Sequence, residues 1–225
     1  MPADEESYFL TRKSAKSIDN ASIQEFGCTG VELMERAAEG AVGVALEMSR
    51  PESKVLILAG PGNNGGDGWA MARLLADEGR RVEICSLAPP AKKSDAALNA
   101  DRAKAMELEI HEDLSIALSA SPDLIIDALF GTGLDRPIEG RAGKWIERIN
   151  ELDRNVLSID LPSGLDADTG SSMGHAIEAT RTATFIALKK GMKHSHALKL
   201  CGKIDVIDIG TPKELLHIYG QTARG

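Results

Sequence analysis

Asn63, Asn64 and Asp67 stand inside a glycine run, Gly60-Pro61-Gly62-Asn63-Asn64-Gly65-Gly66-Asp67-Gly68. The run follows the apolar stretch 55–59 and leads into a helical pattern over residues 69–78. Strand, glycine-rich turn and helix together offer open backbone N–H groups and a positive helix end to an anion. The glycines by themselves require only a tight turn. Two adjacent asparagines and an aspartate exceed that requirement and point to a specific polar ligand. Gly60, Gly62 and Gly65 also match the spacing of a dinucleotide-binding turn, which calls for an acidic residue at the tip of the second strand. That strand ends in Cys85-Ser86-Leu87, with Glu83 inside it, so an ordinary nicotinamide dehydrogenase is disfavoured. No Lys-Ser or Lys-Thr pair follows the glycines, which excludes a P-loop.

Two further strand ends carry polar residues. The apolar stretch 124–128 runs into Leu129-Phe130-Gly131-Thr132-Gly133-Leu134-Asp135-Arg136-Pro137, and the stretch 156–159 runs into Asp160-Leu161-Pro162-Ser163-Gly164. Asp127 ends an apolar strand, where a carboxylate loses water and needs a partner. Two readings stand: it caps a loop by accepting backbone N–H bonds, or it joins Asn64 and Ser163 as an oxygen donor to a hard cation. The low ligand charge suits a monovalent ion. For Asp160 the readings are turn capping, or acid/base chemistry and a hydrogen bond to a ligand. Asp166 and Asp168 are expected to stabilise the turn or stay solvated. Lys189, Lys190 and Lys193 form either a phosphate-neutralising cluster or a solvated charge run. His175, His194 and His196 lack metal-ligand spacing, and Trp69 and Trp145 are expected to be packing residues.

These residues need a scaffold that brings strand ends together. Residues 14–26 and 31–48 have helical apolar spacing, and Thr29 with Glu32 forms a capping-box signature. After Pro51, strands at 55–59, 82–87, 124–129, 156–161, 184–188 and 204–209 alternate with helices near 69–78, 94–106, 113–119 and 140–150. Residues 108–110 form a short further strand, and 212–219 a final helix. The expectation is a Rossmann-like, doubly wound α/β domain. It has a mostly parallel sheet, helices on both faces and an N-terminal helical pair. The last two strands lack a good intervening helix and are expected to be a differently connected edge. Residues 1–11 read as a flexible arm and 12–225 as a single domain. A net charge of -8 argues against general affinity for nucleic acid or anionic membranes. The three cysteines (Cys28, Cys85, Cys201) read as reduced core residues. With no apolar leader and no membrane-length run, a cytoplasmic protein is expected.

Together these stretches are recognisable. Gly60 to Gly68, Asp127-Ala128-Leu129-Phe130-Gly131-Thr132-Gly133-Leu134 and Asp160-Leu161-Pro162-Ser163-Gly164-Leu165-Asp166 resemble the YjeF N-terminal domain family. So do Leu33-Met34-Glu35, Phe185-Ile186-Ala187-Leu188-Lys189-Lys190-Gly191 and Val206-Ile207-Asp208-Ile209-Gly210. The resemblance spans roughly residues 12 to 215. It implies an NAD(P)H-hydrate epimerase, an isomerase that interconverts the R and S hydrates NADHX and NADPHX. It implies substrate contacts from Asn63, Asn64, Gly65, Gly66, Asp67, Gly131, Thr132, Gly133, Leu134, Asp135, Arg136, Pro137 and Asp160. Asp160 is the expected catalytic residue, and one potassium ion per subunit is expected at Asn64, Asp127 and Ser163. Some family members carry a lysine in the second loop where this chain has Asp135-Arg136, so Arg136 or Lys189 would have to replace it. The expected partners are a separate NAD(P)H-hydrate dehydratase and a second copy of the chain, docked through the N-terminal helices. A non-catalytic binding or dimerisation scaffold is the competing reading, which the intact loop motifs disfavour.

Overall fold

The computed structural model describes residues 8–222. Strand β1 (Tyr8–Leu10) leads into α1 (Arg12–Gln24), and α2 (Gly30–Met48) follows. The alternating part comprises β2 (Lys54–Ala59), α3 (Asn63–Asp77), β3 (Arg81–Ser86), α4 (Asp95–Ala105), β4 (Glu109–His111) and α5 (Leu114–Ser119). It continues through β5 (Leu124–Ala128), α6 (Gly140–Asn150), β6 (Asn155–Ile159), β7 (Arg181–Phe185), β8 (Leu188–Lys189) and α7 (Ser195–Cys201). β9 (Lys203–Ile207), α8 (Lys213–Tyr219) and β10 (Gln221–Thr222) complete it.

The large sheet has the order β4-β3-β2-β5-β6-β7-β9, and every pair in it is parallel. From β2 the chain winds outward to β4, then returns to start the other half at β5. The reversal between β2 and β5 opens a crevice at the carboxyl ends of those strands, where ligands of doubly wound sheets bind. Both faces are covered, which is why the strands read as continuous apolar runs. Along β2, Val55, Ile57 and Ala59 join the core under α2 and α3, while Leu56 and Leu58 face α5 and α6.

Two expectations are corrected. β7 and β9 are not a differently connected edge. They are parallel from Arg181↔Lys203 to Phe185↔Ile207, and α7 supplies the crossover that the short, histidine-bearing segment hid. Residues 8–11 are not an arm, although residues 1–7 of that expected arm lie outside the described residues. Tyr8–Leu10 pairs with β10 and β8, Leu10 is fully buried, and Thr11 caps α1. The apolar triplet Tyr8-Phe9-Leu10 outweighs the acidic start, because its burial rewards ordering. The expected N-terminal helical pair is present, and its two helices serve different cores. α1 packs with α8 through Ile18 and Leu215, whereas α2 lies on the large sheet. Thr29 and Glu32 make the expected capping box. No described helix is long and apolar enough to cross a membrane.

Candidate active site

Helix α3 begins at Asn63, six residues before the expected start at Trp69. Each glycine costs about 1 kcal/mol of helix propensity relative to alanine, so Gly65, Gly66 and Gly68 mask the helix in the sequence. Packing forms it regardless. A side chain at Gly65 would collide with the Gly60 carbonyl, so the turn closes only with glycine there. Asn63, Asn64 and Asp67 therefore lie on the first two helical turns rather than in a loop. Gly62, the N-cap, supplies no side-chain cap, leaving first-turn N–H groups facing the crevice.

Asn64 is the anomaly of this end. Its residue is 8% exposed, and neither its amide oxygen nor its amide nitrogen has a hydrogen-bond partner among the described residues. Such orphaned buried groups are rare and mark a place where a ligand or ion completes the bonding. Gly131 faces it: a methyl group there would stand 3.0 Å from both the Asn64 Oδ1 and the Asp160 Oδ2. One glycine thus separates the two side chains.

Asp160 is positioned by strained backbone. Its φ is 67°, and the Leu161 N–H donates to the Ile159 carbonyl at 2.8 Å, the bond of a positive-φ γ-turn. The neighbouring strand ends the same way. Ile186 has φ 71°, and the Ala187 N–H donates to the Phe185 carbonyl at 2.8 Å. A β-branched residue at such an angle is a true outlier, and strain of this kind clusters at functional sites. The paired turns bring together Asp160 after β6 and Lys189 after β7. The Lys189 Nζ lies 2.7 Å from the Asp160 Oδ1 and also donates to Thr184 Oγ1 and the Phe185 carbonyl, each at 2.9 Å. Those bonds occupy all three ammonium protons. Among the described residues, the other carboxylate oxygen, Oδ2, accepts only the Thr132 N–H, at 3.2 Å.

Asp127 is fully buried and saturated. Oδ1 accepts Ser163 Oγ at 2.5 Å and the Leu129 N–H at 3.3 Å; Oδ2 accepts Ser158 Oγ and the Ser163 N–H, both at 2.8 Å. Burial pushes this carboxyl above its ordinary value, against the lowering pull of those hydrogen bonds. The capping reading therefore describes what Asp127 does in the fold. Ser163 Oγ in turn accepts the Phe130 N–H at 2.8 Å, tying the second loop to the third.

Two more carboxyls border the cleft. Burial pushes Asp67 well above the usual carboxylate range, with Asp160 and Asp19 adding to the rise. Asp19, on α1, is an exposed residue whose carboxyl is nonetheless crowded by its neighbours: it is pushed up to about 6, first by loss of hydration and then by Asp160, with Lys189 opposing, and its exposure screens this shift. Sequence reasoning missed Asp19, because a lone aspartate on an amphipathic helix reads as part of a solvated face. It also missed that Lys189 alone of the basic stretch is buried: Lys190 is exposed, and Lys193 lies over the Phe9 ring.

Of the expected ligand contacts, Asn64, Gly65 and Gly66 are buried, and Asp67, Gly131, Thr132 and Leu134 are half-buried along the cleft. Asn63, Gly133, Asp135, Arg136 and Pro137 are exposed. Asp166 accepts Arg12 and three Asp168 and Thr169 donors, and Asp168 accepts the Arg12 N–H, so both hold the turn as expected. Trp69 and Trp145 are core residues. A surface recess of about 790 Å³ lies between α5 and α6 and is lined by none of these groups. Arg141 on its wall is engaged with the Leu87 carbonyl and the Trp145 ring.

The family model for the YjeF-related protein N-terminus matches residues 30–191. An NAD(P)H-hydrate epimerase of Rhodopirellula baltica is 36% identical over 214 residues, covering 93% of this chain and 87% of that protein. One from Weissella koreensis is 38% identical over 214 residues, covering 92% and 94%. The bifunctional NAD(P)H-hydrate repair enzyme Nnr of Salinibacter ruber is 34% identical, covering 92% of this chain but 41% of its own length. Among solved structures, yeast ynu0 superposes with a TM-score of 0.80 over 96% of this chain and 95% of its own, at 21% identity, a likeness of fold.

Proposed function

The chain belongs to the family of the YjeF-related protein N-terminus, and on that premise we propose that it is an NAD(P)H-hydrate epimerase. The observation that carries the reading is the divided carboxylate of Asp160. One oxygen is clamped by Lys189, and the other is turned to the cleft beside the unpartnered Asn64. The substrate bears a hydroxyl on a carbon bonded to the ring nitrogen. When that hydroxyl leaves with a proton, the nitrogen lone pair gives a planar iminium-like species, and water adding to the opposite face completes the inversion.

The chemistry needs a proton for the departing hydroxyl and an acceptor for the proton of the incoming water, with no net change. Asp160 Oδ2 is the exchanging group. Lys189 is a positioning residue, because its donors are all engaged. Asp67, whose burial favours the protonated form, keeps a proton in the cleft. The first-turn N–H groups of α3 and the exposed Arg136 suit the substrate's phosphates. Arg136 rather than Lys189 then takes the place of the loop lysine that some family members carry. A separate dehydratase would consume one epimer.

The residues also fit a potassium ion. The buried Asn64 oxygen lacks a partner among the described residues and would be the ion's first ligand; Asp127 and Ser163 would join it by exchanging the hydrogen bond between them for the ion. When bound, the ion would supply positive charge that fixes the three loops at the strand ends. Exchange between R- and S-NADHX, followed chromatographically with and without the protein, tests the function. The expected result is accelerated exchange, faster in potassium than in lithium buffer. Exchange no faster than the spontaneous reaction would refute the enzymatic reading, and equal rates in both salts would refute the ion.

A further inference from the structure

Three ligand-type side chains meet on the outer edge of the large sheet, away from the cleft. Glu109 and His111 lie two residues apart on β4 and so share a face. The register sets Glu109 opposite Glu83 of β3 and His111 opposite Cys85. The His111 Nε2 lies 2.9 Å from Oε2 of Glu83 and 3.8 Å from Oε2 of Glu109, and all three ligand atoms fall within 4.8 Å of one another. The ligands of a tetrahedral zinc ion are about 3.3 Å apart, between the two measured spacings. Carboxylates directly opposite on adjacent strands repel. Among the described residues, no lysine or arginine pairs with either glutamate, and the His111 Nε2 is the group within 4 Å of both.

We propose that Glu83, Glu109 and His111 form a binding site for a borderline divalent cation of the zinc type, with its fourth position open to water. Imidazole with two carboxylates selects such an ion over magnesium and calcium, which take all-oxygen sets. The backbone already supplies the arrangement: register and alternation aim all three groups at one point before any ion arrives. β4 is three residues long and hydrogen-bonded to β3 alone, so the ion would fasten an otherwise thin sheet edge. The site is independent of the epimerase reading.

The test uses chelator-stripped protein without a histidine tag, titrated calorimetrically with zinc chloride. One equivalent should bind. His111→Gln, which keeps a hydrogen bond to Glu83, and Glu109→Gln, at an exposed side chain, should each weaken binding more than about 10-fold. Metal-free melting curves matching the unsubstituted protein would show that both variants fold. The stacked rings of His194 and His196 are the rival imidazole source, so His196→Ala should leave the affinity unchanged. Unchanged affinity in Glu109→Gln or His111→Gln, loss in His196→Ala, or magnesium binding as tight as zinc would each overturn the site.

Discussion

Asp127 and Asp160 stand at the carboxyl ends of adjacent parallel strands, two residues apart in level, yet they differ in what is left over. Asp127 accepts four donors and has no open lone pair. Asp160 has one oxygen on Lys189 and the other on a single, longer backbone bond. Its backbone is also twisted into the positive-φ region, whereas Asp127 is an ordinary strand residue. One carboxylate is used to join loops. The other is held, under strain, with capacity in reserve.

Substitution should separate the two most clearly. Asp160→Asn should lower epimerisation by about 10³-fold, within the range for loss of an acid/base group, while the protein still folds, with lower stability because the buried Lys189 loses its counter-charge. Asparagine tolerates φ near 67° better than other replacements except glycine, so the backbone is preserved. Near-normal turnover would end the distinction. Asp127→Asn should act mainly on stability. It sets an amide against Ser158 and Ser163 donors in a fully buried place and should cost on the order of 3 kcal/mol in denaturant unfolding. Activity corrected for the folded fraction should fall less than in Asp160→Asn.

A subtler change probes the gap between Asn64 and Asp160. Gly131→Ala places a methyl 3.0 Å from an oxygen of each, closer than they tolerate without moving a few tenths of an ångström. Turnover should drop about 10-fold, since small misplacements cost rate, and the melting temperature should hold. An unchanged rate would mean that this spacing does not set the reaction.

How much of this was legible follows from where the cause of each feature lies. Asp127, Asp160 and Ser163 could be read from sequence because each follows an apolar run whose burial fixes the strand end. The start of α3 could not, because glycine propensity opposed it and the deciding contact, Gly65 against Gly60, is close backbone packing. Lys189 lay among exposed lysines, and its burial follows from the turn at Ile186, an angle that no sequence rule assigns to isoleucine. Asp19 reaches the cleft from a helix in a different core, a purely tertiary juxtaposition.

Asp19 supplies the smallest effect and the finest version of the comparison. Its carboxyl is raised from 3.8 to about 6, so the folded state binds its proton more tightly than the unfolded chain. By linkage, stability then falls as pH rises through the window from about 4 to about 6, and the penalty persists above it. Asp67 is shifted in the same direction and steepens the fall. Asp19→Asn removes one contribution, so the variant should melt with the unsubstituted protein near pH 4 and slightly above it at pH 7. Because Asp19 keeps solvent contact, the gain is discounted for screening to on the order of 1–2 °C. A variant less stable at pH 7 would mean that the ionised carboxylate is held by an attraction, as a salt bridge would hold it. A gain confined to neutral pH places it with Asp67, whose carboxyl is likewise kept in the cleft at a cost to stability.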